Sequence, residues 1–276
     1  MKELWSQRDD GALAAFEAAV AAEDLLGALA AIDGSSAAER AADEADLDRW
    51  AGRVAGKVGE SASAFMQARA LAEVLGGEEG FTGDEEDYYH PDNSLFHAVL
   101  ARKRGMPILL SAVWMEVGRR SGLAVEGVGM PGHFIVRVGS NPGVLVDPFV
   151  GGTRITVDEC RRKLESMSGG KLPWRSDFIR GIGVAGIVER VLHNLAGAYG
   201  RRHDEGGRFR ALTFLTSLRP DEPDNLFARA EIAENLGVRD LAEKVWAEIV
   251  ERFPDSQQAQ AAWEKLEGRA DSPVVN

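Results

Sequence analysis

Residues 90–149 read HPDNSLFHAVLARKRGMPILLSAVWMEVGRRSGLAVEGVGMPGHFIVRVGSNPGVLVDPF. Pro107 suits the first position of a helix, where its missing N–H would be unpaired in any residue. Gly122 suits the left-handed cap that ends such a helix, and Arg119 and Arg120 place positive charge on its last turn. The punctuation predicts a helix from Pro107 to about Ser121. Two β-segments follow, His133–Val138 and Gly143–Asp147, with Ser140-Asn141-Pro142 as the turn between them. With a loop over 139–143, Val138 pairs with Val144 and Ile135 with Asp147. Asp147 then shares a sheet face with His133 and lies diagonal to it. A slip of one residue would put the two on opposite faces.

Upstream, residues 3–75 read as three Ala-rich helices, with Leu13, Phe16, Val20 and Ala21, then Leu25, Leu26, Leu29 and Ile32, at helical spacing. Asp33-Gly34-Ser35-Ser36 breaks the pattern and Gly76-Gly77 stops it. Residues 76–92 read as a glycine-rich, acidic, solvated connector. It lacks the alternating acidic spacing of a calcium loop. Downstream, Thr156-Val157-Asp158-Glu159 is a capping box for a short helix carrying Cys160, the single cysteine. Ser168 to Pro173 is a break, and the chain is helical again from about 183. There Ala211, Leu215 and Pro223 recur as Ala242, Trp246 and Pro254, each 31 residues on, as in two degenerate tetratricopeptide-like repeats.

The chain has 276 residues, 45% of them hydrophobic, enough to bury a core. A formal charge of −12 disfavours general nucleic-acid binding. One cysteine permits no intramolecular disulfide and fits a reducing compartment. The start MKELWSQRDDG has no apolar signal segment, and no stretch is long and apolar enough to span a bilayer. A cytoplasmic protein without membrane attachment is expected.

Several linked segments resemble the SirB-type branch of the transglutaminase-like superfamily. They are Asn93-Ser94 with Val99-Leu100, Arg104-Gly105-Met106-Pro107-Ile108 with Leu110-Ser111, and Glu126 through Phe134. Asp147-Pro148-Phe149 with Gly151-Gly152 and Arg190 through Leu195 complete the set. The resemblance covers about 90–270. It implies an α+β, predominantly helical fold: N-terminal helices over 1–80, a papain-like core over 81–180, tetratricopeptide-like helices over 181–270 and a tail at 271–276. In such cores a thiol sits at a helix start, where the dipole lowers its pKa, and a His with an acidic orienter takes its proton. By resemblance the thiol position falls on Pro107, which has neither a nucleophile nor an N–H for an oxyanion. The branch commonly carries this Gly-x-Pro in place of the thiol. His133 and Asp147 are then the retained dyad.

The candidate site residues are thus His133 and Asp147, with Ser111 as an alternative nucleophile one turn after Pro107 on the same helix face. Asn93, Pro107 and Ser111 are candidate cleft-lining residues, although Asn93 also suits a helix cap and Ser111 a bond back to a carbonyl. Cys160 reads as a buried thiol, and His90 and His97 are not expected to form a metal site. No cofactor and no metal are expected. The leading function is a non-catalytic, protein- or peptide-binding scaffold. Two alternatives stand beside it: a hydrolase or acyl transferase using His133-Asp147 with Ser111 or water, and a self-associating structural subunit. Replacing Pro107 by Cys is expected to supply a thiol without restoring turnover. If that thiol, measured with a small alkylating agent against pH, reacts no faster than free cysteine near neutrality, either the helix-start placement or the His133 pairing fails.

Overall fold

In the computed structural model the described residues are 5–270, so the tail assigned to 271–276 lies outside them. Helix α6 (Pro107–Arg120) has Pro107 in its first turn and Gly122 left-handed just beyond its end, at φ 74°. The Leu123 N–H closes that end on the Gly118 carbonyl at 2.9 Å, and the Gly122 N–H on the Arg119 carbonyl at 3.1 Å, a Schellman cap. Eleven of the 14 residues of α6 are buried. A helix apolar around most of its circumference must be enclosed on all sides.

The enclosure comes partly from a four-stranded antiparallel sheet in the order β3–β4–β5–β6. Its strands are β3 (Val125–Met130), β4 (His133–Val138), β5 (Val144–Asp147) and β6 (Thr153–Arg154). Strand β4 pairs Val138 with Val144 and Val136 with Val146, the register expected from a 139–143 loop. All of β4 is buried, so both faces of the sheet are covered. On the Ile135 face, Val128, Met130 and Leu145 pack with Cys160 of α7 (Val157–Ser168). On the other face, Phe134 and Met115 of α6 crowd over Gly127. Strand β3 was not among the expected β-segments, because Gly127 and Gly129 weaken the pattern. Both glycines are needed for space: a Cβ would strike Phe134 at position 127 and the Arg190 guanidinium at 129.

The N-terminal region holds four α-helices rather than three: α1 (Gln7–Ala21), α2 (Leu25–Asp33), α3 (Ala37–Lys57) and α4 (Ala64–Leu71). The unforeseen break is at Glu23, left-handed at φ 53°, and at Asp24, which caps α2 by accepting the Gly27 N–H at 3.0 Å. Ser36 and Glu39 form a reciprocal capping box on α3. The chain does not stop at Gly76-Gly77. A π-turn, Ala72–Glu78, carries it through, and a Cβ on Gly76 would collide with the backbone carbonyl of Gly151. Nor is 76–92 a merely solvated connector. Thr82–Gly83 (β1) pairs in parallel with Arg104–Gly105 (β2), and Phe81 is fully buried. Phe81 stacks edge-on with Trp50 of α3 and Trp114 of α6. The short helix α5 (Phe96–Arg102) has no side-chain cap from its own flank. Instead the Asp33 carboxylate accepts the N–H groups of Phe96 and His97 at 3.1 and 2.8 Å.

Residues 18–191 form one compact unit and residues 1–17 with 192–276 another. In the second, Phe16 meets Phe214 edge-on, and Asp9 pairs with Arg210. Helix α8 (Val184–Arg201) is followed by α9 (Glu205–Leu218), α10 (Pro223–Asn235), α11 (Arg239–Arg252) and α12 (Gln257–Ala270). Starts recur from Glu205 to Arg239 and from Pro223 to Gln257, an interval of about 34 residues rather than the 31 read from side chains. The difference is about one helical turn, so the paired residues stay on one face. Ala211, Leu215, Ala242 and Trp246 are all buried, as expected. Among the described residues no helix is long and apolar enough to cross a membrane.

Two stability outcomes follow. Trp246→Ala is expected to cost about 3–5 kcal/mol in denaturant unfolding; a cost below about 1 kcal/mol would mean the ring is not core. Gly76→Ala is expected to destabilise by about 1–3 kcal/mol, because backbone must move to admit one methyl. An unchanged melting temperature would refute that close approach.

Candidate functional site

The site is assembled at the open ends of β4 and β5. His133 begins β4 directly after the turn Pro131-Gly132, where Gly132 is left-handed at φ 72°. Arg190 of α8 fastens this turn from outside, donating to the carbonyls of Met130 at 2.9 Å and Gly129 at 3.0 Å. Asp147 ends β5. Its Oδ1 accepts the Phe149 N–H at 3.1 Å, starting a single 3₁₀ turn, Pro148–Val150. Its Oδ2 lies 2.7 Å from His133 Nε2. The β4–β5 register places these two residues diagonally on one face, and the structure brings them together as the sequence predicted.

Lys163 on α7 is a third member. Its Nζ donates to Asp147 Oδ2 at 2.8 Å and lies 3.0 Å from His133 Nε2. Burial alone would raise the Asp147 carboxyl, but the His133 hydrogen bond and charge, then those of Lys163, outweigh it. The carboxyl is held below its usual range. An ionised carboxylate only accepts, so a proton on His133 Nε2 points toward Asp147. Among the described residues Nδ1 has no hydrogen-bond partner. Beside the imidazole runs a row of edge-on rings. Phe149 lies 6.4 Å from His133, Tyr88 lies 5.9 Å from Phe149, and Tyr89 lies 5.1 Å from Tyr88. Tyr89 is half exposed, so the row leads from the dyad to solvent.

The other expected residues are placed differently. Pro107 is buried at the start of α6 and offers neither a thiol nor an N–H. Ser111 is fully buried, and its hydroxyl has no hydrogen-bond partner among the described residues. It is therefore bonded neither back to its own helix nor to His133. Asn93 does not cap a helix with its side chain. Its amide nitrogen holds the carbonyls of Asp87 and Tyr88 at 2.8 and 3.2 Å, and its oxygen accepts from Arg102, so it braces the loop that carries Tyr88. Cys160 is fully buried on the His133 side of the sheet. Burial first, then the Asp147 charge, pushes its thiol up to about 11. His97 pairs with Asp43 at 2.8 Å and His90 accepts from the Asp92 N–H, so the two serve different elements. Among the described residues no cluster of His, Cys, Asp and Glu could hold a metal.

Sequence reasoning missed Lys163. The usable signal was its position three residues after Cys160: if Cys160 faces the core, Lys163 lies on that face one turn on. Arg161 and Arg162, adjacent to Cys160 in sequence, are exposed.

The profile of the transglutaminase-like superfamily matches residues 42–193. A UPF0162 protein of Xylella fastidiosa is 32% identical over 181 residues, 64% of each chain. A UPF0162 protein of Pseudomonas aeruginosa is 30% identical over 150 residues, 54% of each chain. The human F-box only protein 21 is 27% identical over 202 residues, 66% of this chain and 31% of its own length. The chain thus spans less than two thirds of the UPF0162 proteins and under one third of F-box only protein 21. No solved structure matches it. Since the superfamily profile covers more than half of the sequence and contains both His133 and Asp147, the chain belongs to the transglutaminase-like superfamily.

Proposed function

We propose that this is a non-catalytic member of the superfamily, of the SirB type, whose dyad cleft binds a protein or peptide. The observation that carries the reading is Pro107 at the start of α6, where a thiol enzyme needs both a nucleophile and an N–H donor. The two other candidate nucleophiles do not replace it. Ser111 has no bond to His133, and a thiol shifted to about 11 leaves Cys160 almost wholly protonated at neutral pH. What remains suits recognition. His133 Nδ1, without a partner among the described residues, can take a hydrogen bond from or to a peptide group, and the edge-on Phe149–Tyr88–Tyr89 row offers an aromatic flank beside it. The interval of about 34 residues in α9–α12 supports a tetratricopeptide-like tail, an architecture that builds concave peptide-binding surfaces. One cysteine in the whole chain suits a reducing compartment such as the cytoplasm.

The hydrolase reading is favoured by one observation, the open Nδ1, which has the geometry of a general base acting on water. Its Ser111 version is weakened, because that hydroxyl does not reach the imidazole.

A fluorescent peptide array probed with the full chain separates the readings. Specific peptides are expected to bind, to remain uncleaved, and to lose about tenfold or more in affinity with Phe149→Ala or His133→Ala, equivalent to about 1.4 kcal/mol. Cleavage of peptide or ester that vanishes with His133→Ala would overturn the binding-only proposal. Lys163 gives a second outcome. The Asp147 pKa is lowered in the fold, so its stabilisation is present above the unfolded value and is lost as pH falls through the folded one. Lys163→Met removes one of the groups that lower it. Acid unfolding of that variant is expected to begin at higher pH than in the parent; coincident acid transitions would show that Lys163 does not hold the carboxylate.

A further inference from the structure

A second, separate cavity opens where α2, α3, α5 and α6 meet. Its volume is about 250 Å³. None of the groups around His133 lines it. At about 30 Å³ per water in the liquid, it would hold roughly eight waters or one small metabolite. Phe96 and Leu26 give it an apolar part, and its other walls are charged with both signs.

The negative side is built from Asp33 and Asp43, with Asp24, the cap of α2, and Glu44 also on the wall. Asp33 spends one lone pair of each oxygen on the N–H groups that start α5, and each oxygen keeps another. Asp43 uses Oδ1 on His97. Neither carboxylate has an Arg or Lys partner within ion-pair distance. Burial, opposed by the His97 and Phe96 N–H bonds, lifts the Asp33 carboxyl to about 7, and the nearby Asp43 charge adds to the rise. Asp43 is thus paired with His97, while Asp33 has only backbone donors, so Asp33 is a place where a cationic or hydrogen-donating group is stabilised. The positive side is built from Arg40, in the first turn of α3, and Arg119, in the last turn of α6, beside Arg120, which is already paired with Asp48. Arg119 is held by Glu116 at 2.8 Å, while Arg40 has no partner among the described residues. A guanidinium presents paired donors that match a carboxylate.

We propose that this cavity binds an amino-acid-sized zwitterion, its ammonium on Asp33 and Asp43 and its carboxylate on Arg40 and Arg119. A bare metal ion does not fit the donor set, since no group of three His, Cys, Asp or Glu converges among the described residues. A simple anion leaves Asp33 without a cationic partner, and a simple amine leaves Arg40 unused.

Calorimetric titration of the full chain with L-leucine, L-glutamine, L-arginine and L-glutamate tests this. At least one is expected to bind at concentrations up to about 10 mM, a dissociation constant in the micromolar to millimolar range. Its decarboxylated and its deaminated analogue are each expected to bind about tenfold more weakly. Arg40→Ala, at an exposed position, removes one carboxylate donor, and Leu26→Trp fills the cavity from a half-buried wall. Both are expected to weaken binding about tenfold or more, with unchanged circular dichroism. No binding by any of the four would overturn the proposal. So would binding that both variants leave intact, or an analogue that binds as tightly as its parent. His133→Ala is expected to leave this affinity unchanged, and a loss there would assign the heat to the dyad cleft instead.

Discussion

Most of what residues 18–191 do follows from having to enclose α6. A helix buried along nearly its whole length leaves no side free for water, so sheet, helices and loops all become walls. The sheet supplies one wall through Phe134 over Gly127. The Trp50–Phe81–Trp114 stack supplies another, joining α3, the segment before β1 and α6 by edge-on rings. The close approach of Gly76 to Gly151 has the same origin, since the chain can only seal this wall if two backbones nearly touch. Once α6 is enclosed, the position of Pro107 and the positions of β4 and β5 are fixed together.

Within that frame the three charged groups at the strand ends are expensive to bury and work only as a set. Asp147 is almost wholly removed from water, and it is compensated by His133 and Lys163 together. Removing one partner from such a set leaves a charge without its counterpart, which costs more than the set contributes over an apolar replacement.

Local rules made much of this legible. Pro107 and Gly122 marked the ends of α6, Thr156 marked the start of α7, and alternation with a five-residue loop set the β4–β5 register that joins His133 to Asp147. These signals act within a few residues, where steric and capping rules decide the outcome. The features that escaped depend on distant partners. Lys163 matters because α7 covers the His133 face of the sheet. Strand β3 forms despite two glycines because a neighbour needs the space at each. Asn93, which reads as a cap, is drawn off by the carbonyls of Asp87 and Tyr88. The C-terminal repeat shows the intermediate case. The 31-residue pairing of side chains was offset by about a turn from the spacing of the helices, yet it found the buried face, because a turn restores orientation.

The cap that Asp33 places on α5 also orders events during synthesis. A helix of seven residues does not persist by itself, because so few hydrogen bonds do not offset the cost of nucleation. Two of its unpaired N–H groups are satisfied only by a carboxylate lying 63 and 64 positions earlier. On the ribosome that carboxylate leaves the tunnel well before the segment it caps. The nascent chain thus already carries the acceptor when the donors emerge, and the long loop is closed in the direction of translation. A circular permutant that began between α2 and α5 would reverse this order and meet its cap only after the rest of the chain had been made.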